Sequence, residues 1–200
     1  MRLVIARKPW RNILRWAQRT LFALAIPLLA YCMFAFLDAW IFEERAAREF
    51  AAALEKGQAS PASRPKTPLV AGALIGGLRI ARLGLSVAVV EGVDKKSLRR
   101  AAGHISGSAL PGEAGNVAIS AHRDTFFRPL RNIQLADTIT ITTLDAEFHY
   151  RVVSTRVVIP TDVSVLAPSS NEILTLVTCY PFYFVGAAPQ RFIVRAERVI

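Results

Sequence analysis

The chain has 200 residues, 52% of them hydrophobic and 20% charged, with 25 basic against 15 acidic side chains and a formal net charge of +10. That length holds one domain of ordinary size with an appendage and excludes a two-domain enzyme with a separate cofactor domain. The apolar content excludes a disordered chain, and the basic excess leaves polyanion binding or membrane orientation, which only the placement of the charges separates.

Residues 1–20 hold six basic side chains (Arg2, Arg7, Lys8, Arg11, Arg15 and Arg19) and no acid, which marks a basic cytoplasmic N-terminus. Residues 21–42, Leu21 to Phe42, are almost wholly apolar, with Asp38 near the far end the one side chain expected to be charged. At about 1.5 Å per residue this run makes about 33 Å of helix, close to the hydrocarbon thickness of a bilayer. Trp16 and Trp40 fall near the two expected interfaces, Tyr31 falls in mid-span, and Pro27 is tolerated because lipid-embedded helices accommodate proline. The run is too long for the core of a cleaved signal, and the small residues Ala51-Ala52-Ala53 lie well beyond it. An uncleaved, single-pass signal anchor in the cytoplasmic (inner) membrane is expected, with residue 43 onward outside the cytoplasm.

Residues 43–68 read as an extracytoplasmic helix and linker. The alanine-rich stretch from Glu43 to Lys56 predicts a short helix ended by Gly57, and QASPASRPKTP supplies three prolines and no large apolar side chain, as a spacer does. The folded domain is expected over residues 69–200. Its sixteen basic and ten acidic groups, counted over residues 61–200, are a mild excess without a nucleic-acid-binding motif or a basic-aromatic stripe, so no nucleic acid partner is expected.

Within that domain the apolar period is mostly two. LRIARLGLSVAVV, NVAIS, TITITTL, FHYRVVSTRVVI, EILTLVTC and RFIVRAERVI are strand candidates, and one short helix is expected from about Asp94 to Ala102. Six to eight strands with no βαβ rhythm predict an all-β antiparallel barrel or sandwich.

Two cysteines are present, Cys32 in the expected membrane span and Cys179 at the end of the strand ILTLVTC. A disulfide between them is geometrically implausible, which leaves Cys179 a free thiol on the oxidising side of a membrane. Taken alone, a free Cys at a strand end is most often packing. Tyr180-Pro181 ends the strand there, however, and delivers the sulfur to the mouth of the sheet. A cysteine nucleophile gains from a nearby imidazole that pairs with the thiolate and later donates a proton. His149 lies inside a strand pattern and His104 follows the short helix, both positions that suit structural or solvated histidines. His122 directly follows NVAIS and sits at a strand end, as Cys179 does. Arg191 opens the next strand after the loop YPFYFVGAAPQ and can project a fixed cation toward an oxyanion.

The segment TLVTCYPFYFVGAAPQRFIV resembles the active-site block of sortases, whose signature is Thr-Leu-x-Thr-Cys followed by an Arg on the adjacent strand. Here it supplies Thr175, Leu176, Val177, Thr178, Cys179 and then Arg191. The upstream block ALPGEAGNVAISAHRDTFFRPLRNIQLADTI is similar to the sortase histidine region, with His122 at the catalytic position; the loop wording is closest to class D. The resemblance implies a sortase-like eight-stranded β-barrel with one or two short helices, preceded by the single N-terminal transmembrane helix. It also implies a membrane-anchored cysteine transpeptidase. Cys179 would form a thioester with a secreted protein's LPxTG-like C-terminal sorting signal, His122 would be proton donor and acceptor, and Arg191 would serve the oxyanion or position the substrate. Thr178 is a candidate substrate contact, and the acyl acceptor would be an amine of the cell envelope such as a peptidoglycan precursor. A cysteine hydrolase on the same signal and a non-catalytic membrane-tethered binding module are the alternatives. No cofactor and no metal are expected; Asp137, Asp162 and Glu172 match no calcium-ligand pattern.

Overall fold

A computed structural model describes residues 8–55, 69–183 and 186–199. The chain divides into two compact units, residues 1–41 and 42–200. Helix α1 runs from Lys8 to Glu55 with Pro27 inside it. The separate helix expected from Glu43 is instead a continuation of α1, because no glycine or proline between Phe42 and Glu55 interrupts the ladder and the sequence there favours helix. The stretch of α1 long and apolar enough to cross a bilayer is Asn12–Phe34, 23 residues, which begins before the expected Leu21 and overlaps the expected span. Its large apolar side chains, Trp16, Leu24 and Phe34 among them, are exposed. The proline-rich spacer expected over 58–68 lies outside the described residues.

The second unit is built on eight strands: β1 Leu74–Ile80, β2 Leu85–Glu91, β3 Ala102–His104, β4 Gly115–Ser120, β5 Thr138–Thr143, β6 Glu147–Val158, β7 Glu172–Tyr180 and β8 Gln190–Val199. They close into a barrel in the order β1-β2-β3-β4-β7-β8-β6-β5. Closure pairs both edges of the sheet and so removes the exposed ladders of an open one. Alternation along the strands sorts the two faces. Leu174 and Leu176 of β7, Val117 and Ile119 of β4, and Val194 and Ala196 of β8 belong to the buried core. Burying each aliphatic side chain of Val or Leu size contributes about 1.5–3 kcal/mol.

Three features depart from the strand pattern expected from sequence. The run LRIARLGLSVAVV is a hairpin and not one strand: a 3-10 turn, Ala81–Leu83, ends at Gly84, whose φ of 61° is left-handed and suits glycine. The three-residue β3 carries too little pattern to be visible. The barrel is also not purely antiparallel, since β2 pairs with β3 and β4 with β7 in parallel. The first parallel pair needs a crossover, and helix α2, Lys95–Arg100, supplies it. Asp94, expected inside the helix, instead caps α2 by accepting from the backbone N–H groups of Lys96 and Ser97.

Candidate active site

Strand β7 presents Cys179 next to its end, on the face opposite the core residues Leu174 and Leu176. In the antiparallel ladder between β7 and β8, Cys179 pairs directly with Arg191. Directly opposed residues send their side chains to the same face, so thiol and guanidinium leave the barrel wall together. Arg191 in turn pairs with Val158 of β6, which puts an apolar side chain on its far side.

His122 reaches the same row by a different route. The parallel register of β4 and β7 runs to Ser120 opposite Val177, and the Ala121 N–H donates to the Val177 carbonyl at 3.3 Å beyond the last paired residue. Two further residues along each chain lie His122 and Cys179. Ala121 packs in the core, so alternation sends His122 outward, where it is exposed. The fold thus sets Cys179 and Arg191 opposite each other on one face, and places His122 two residues past the end of β4, the parallel neighbour of β7.

Thr178, the fourth, is placed differently. It is 2% exposed, and its hydroxyl donates to the Ala121 carbonyl at 2.8 Å, on the face opposite Cys179. This is a tie between β7 and the segment that carries His122. On the same inner side Phe182 and Phe192 pack edge to face, ring centroids 5.4 Å apart, and Tyr180 adds a third ring 6.0 Å from Phe182. The three rings back the strand ends that present the thiol and the guanidinium.

The outer wall of β4 and β7 is covered by the connection from β6 to β7. Asn116 of β4, 3% exposed, donates from its amide to the carbonyls of Val165 at 3.0 Å and Ala167 at 3.2 Å, and accepts from the Thr175 hydroxyl at 2.7 Å. The connection contains the 3-10 turn Val163–Leu166 and is tied to the strand that leads to Cys179. Sequence reasoning missed Asn116 because the signal lies in the fold: a polar residue within a β4 whose other neighbours are small or apolar. It also missed Arg123, which is 6% exposed and reaches from the His122 segment to the carbonyls of Pro181 and Gly186.

The other two histidines are held elsewhere. His149 is exposed and lies 3.3 Å from Glu147. His104 is 2% exposed and forms a chain that resembles a Ser–His–Glu relay: Nδ1 meets Glu91 Oε2 at 2.7 Å, and Nε2 meets Ser108 Oγ at 2.9 Å. The same Nε2 also faces the Ala109 carbonyl at 3.0 Å, which can only accept, so this ring nitrogen is not reserved for the Ser108 hydroxyl. Ser108 donates to the Ile105 carbonyl and accepts from the Ala118 N–H. Every partner is satisfied, and the cluster is a strap between β2, β3 and the loop before β4. Among the described residues no group of three or more His, Cys, Asp or Glu is arranged to hold a metal ion.

A sortase-domain family model matches residues 78–199. The chain belongs to the sortase family. Sortase D of Bacillus subtilis (strain 168) is 37% identical over 123 residues, 61% of this chain and 62% of the relative, so the match spans less than two thirds of that protein. Among solved structures, the Clostridium perfringens sortase D5 transpeptidase superposes with a TM-score of 0.64 at 27% identity, over 80% of this chain and 96% of that one. Sortase A from Corynebacterium diphtheriae does so with a TM-score of 0.60 at 27% identity, over 81% and 84%. The likeness to class D wording in the sequence agrees with the first two. The closed eight-stranded barrel and the sortase resemblance of the sequence therefore stand together, and the matched stretch contains both segments that carry the row of His122, Cys179 and Arg191.

Proposed function

We propose that this sortase is a cysteine transpeptidase anchored in the cytoplasmic membrane by α1, with its barrel outside the cytoplasm. The observation that carries the reading is the cross-strand pair Cys179 and Arg191, with His122 two residues past the end of the neighbouring strand β4, whose last pair with β7 is Ser120 and Val177. The Cys179 thiolate attacks the backbone carbonyl carbon that follows the Thr of an LPxTG-like sorting signal, forming the C–S bond. Arg191 supports the oxyanion of the tetrahedral intermediate, a charge that exists only near the transition state and so repays a fixed cation. Collapse breaks the C–N bond, His122 gives its proton to the leaving amine, and a thioester remains. An acceptor amine, such as that of a peptidoglycan precursor, loses its proton to His122 as it attacks the thioester, and the thiolate leaves. The thioester route keeps acyl energy available for transfer to an amine. The basic residues before α1's apolar stretch support the inside orientation of the N-terminus.

Mass spectrometry of the detergent-solubilised full chain, incubated with LPxTG-type peptides, tests the reading. An acyl adduct on Cys179 that is absent from Cys179→Ala is expected, and an added primary amine should divert product from hydrolysed to ligated peptide. Cleavage retained by Cys179→Ala would remove the nucleophile assignment. Hydrolysis that no amine diverts would make the protein an endopeptidase on the same signal.

A further inference from the structure

His122 has an exposed imidazole, yet the backbone on both sides of it is tied down. Upstream, Ala121 donates to the Val177 carbonyl and accepts from the Thr178 hydroxyl. Downstream, Arg123 turns beneath the surface and its guanidinium divides between two carbonyls of the loop that joins Cys179 to Arg191. One terminal nitrogen donates to Pro181 at 2.9 Å and the other to Gly186 at 3.0 Å. Pro181 lies two residues after Cys179. Gly186 has a φ of 104°, a conformation that favours glycine. The Arg123 Nε lies 3.4 Å from Asp124, whose carboxylate is 70% exposed.

Burying a guanidinium is costly unless its donors are satisfied, and a neutral side chain would fill the same space at lower cost. What arginine offers is a rigid planar fork whose parallel N–H groups hold two acceptors at a set spacing, which lysine's single ammonium cannot reproduce. We propose that Arg123 is a positioning residue that sets the separation of His122 from Cys179, holding the histidine segment, the exit of β7 and the loop before Arg191 as one frame. It touches no reacting atom in this scheme; it acts through His122. The catalytic part of the inference rests on the transpeptidase reading of Cys179 and His122, while the geometric part does not. Loss of the frame lets His122 drift from the thiol, and a misplacement of about 1 Å costs roughly 10²-fold in rate.

Two measurements on the full chain in a Cys32→Ser background separate positioning from simple stability. In peptide-cleavage kinetics, Arg123→Lys and Arg123→Gln should lower kcat about 10²-fold with KM close to the parent value. In the second measurement His122→Cys is introduced and its disulfide closure onto Cys179 is timed with Arg123 present or replaced by Lys. Closure should slow by about tenfold or more, since it demands Cα atoms within about 7 Å. Equal closure rates would overturn the proposal, as would full kcat in Arg123→Lys. Loss of folded circular dichroism in both variants would assign Arg123 to stability and overturn it too. If the parent cleaves no peptide while closure still slows, the transpeptidase reading falls and the positioning role stands.

Discussion

Cys179 faces Arg191 directly across the ladder between β7 and β8, although eleven residues of chain separate them. A cation fixed by strand pairing needs no reorganisation when negative charge develops beside it, and that is where fixed dipoles and charges accelerate reactions most. Arg191→Ala should therefore lower kcat for peptide cleavage by about 10²–10³-fold. Arg191→Lys should recover only part of it, since the arginine fork also donates to the Gln190 carbonyl at 2.9 Å and is oriented by that bond. Steady-state kinetics on a quenched sorting-signal peptide measures both; full activity in Arg191→Ala would exclude a chemical role.

Thr175→Val should loosen the wall beside the thiol without touching it. The substitution keeps the shape of the side chain but leaves the buried Asn116 carbonyl without the hydroxyl that now donates to it. An unsatisfied buried acceptor costs about 1–3 kcal/mol. Urea unfolding should show that loss, and KM should rise more than kcat falls if the β6–β7 connection contacts substrate. Unchanged stability would mean that the bond is not maintained in solution.

The ion pair of Arg82 with Asp137 predicts an acid-sensitive share of stability. The Arg82 guanidinium, donating through Nε and a terminal nitrogen, is the main force that holds the Asp137 carboxyl below the usual carboxylate range, and the Gln134 N–H assists. A depressed folded-state pKa means stability that is fully present above the unfolded value of about 3.9 and is lost as pH falls through the folded value. Asp137→Asn should flatten the stability profile below about pH 4 relative to the parent. Thermal unfolding followed across that range decides it, with parallel profiles as the contrary result.

The His104 strap predicts the opposite behaviour from a relay. Ser108→Ala should leave peptide turnover near the parent value, because the hydroxyl serves the Ile105 carbonyl and the Ala118 N–H. Glu91→Leu, by contrast, strands a buried imidazole and should destabilise the barrel by about 3 kcal/mol or more. Chemical unfolding and activity assays on the two variants are the measurements, and a large activity loss in Ser108→Ala would show a second reacting centre.

The legible parts of this protein were those encoded by neighbours in sequence. The apolar length of the N-terminal segment, the period of two in β5 and β8, and the short helix after Asp94 are all local, and each appears in the structure with its expected type. The illegible parts were non-local. β3 is too short to carry a period, and whether β4 lies parallel to β7 depends on where the chain returns after β5 and β6. Arg123 looks in sequence like any surface arginine after a strand; its burial is decided by carbonyls presented by a loop some sixty residues away.

The sequence by itself determined the family, the strand-end placement of Cys179 and His122, and the presence of an N-terminal apolar stretch long enough to cross a membrane, though not its bounds. Only the tertiary structure decided that Cys179 and Arg191 oppose each other, that the strand leading to His122 runs parallel to the one leading to Cys179, and that Thr178 points inward. The physical reason is that side-chain periodicity assigns residues to faces, whereas register between strands distant in sequence is chosen by the closure of the whole barrel and the packing within it.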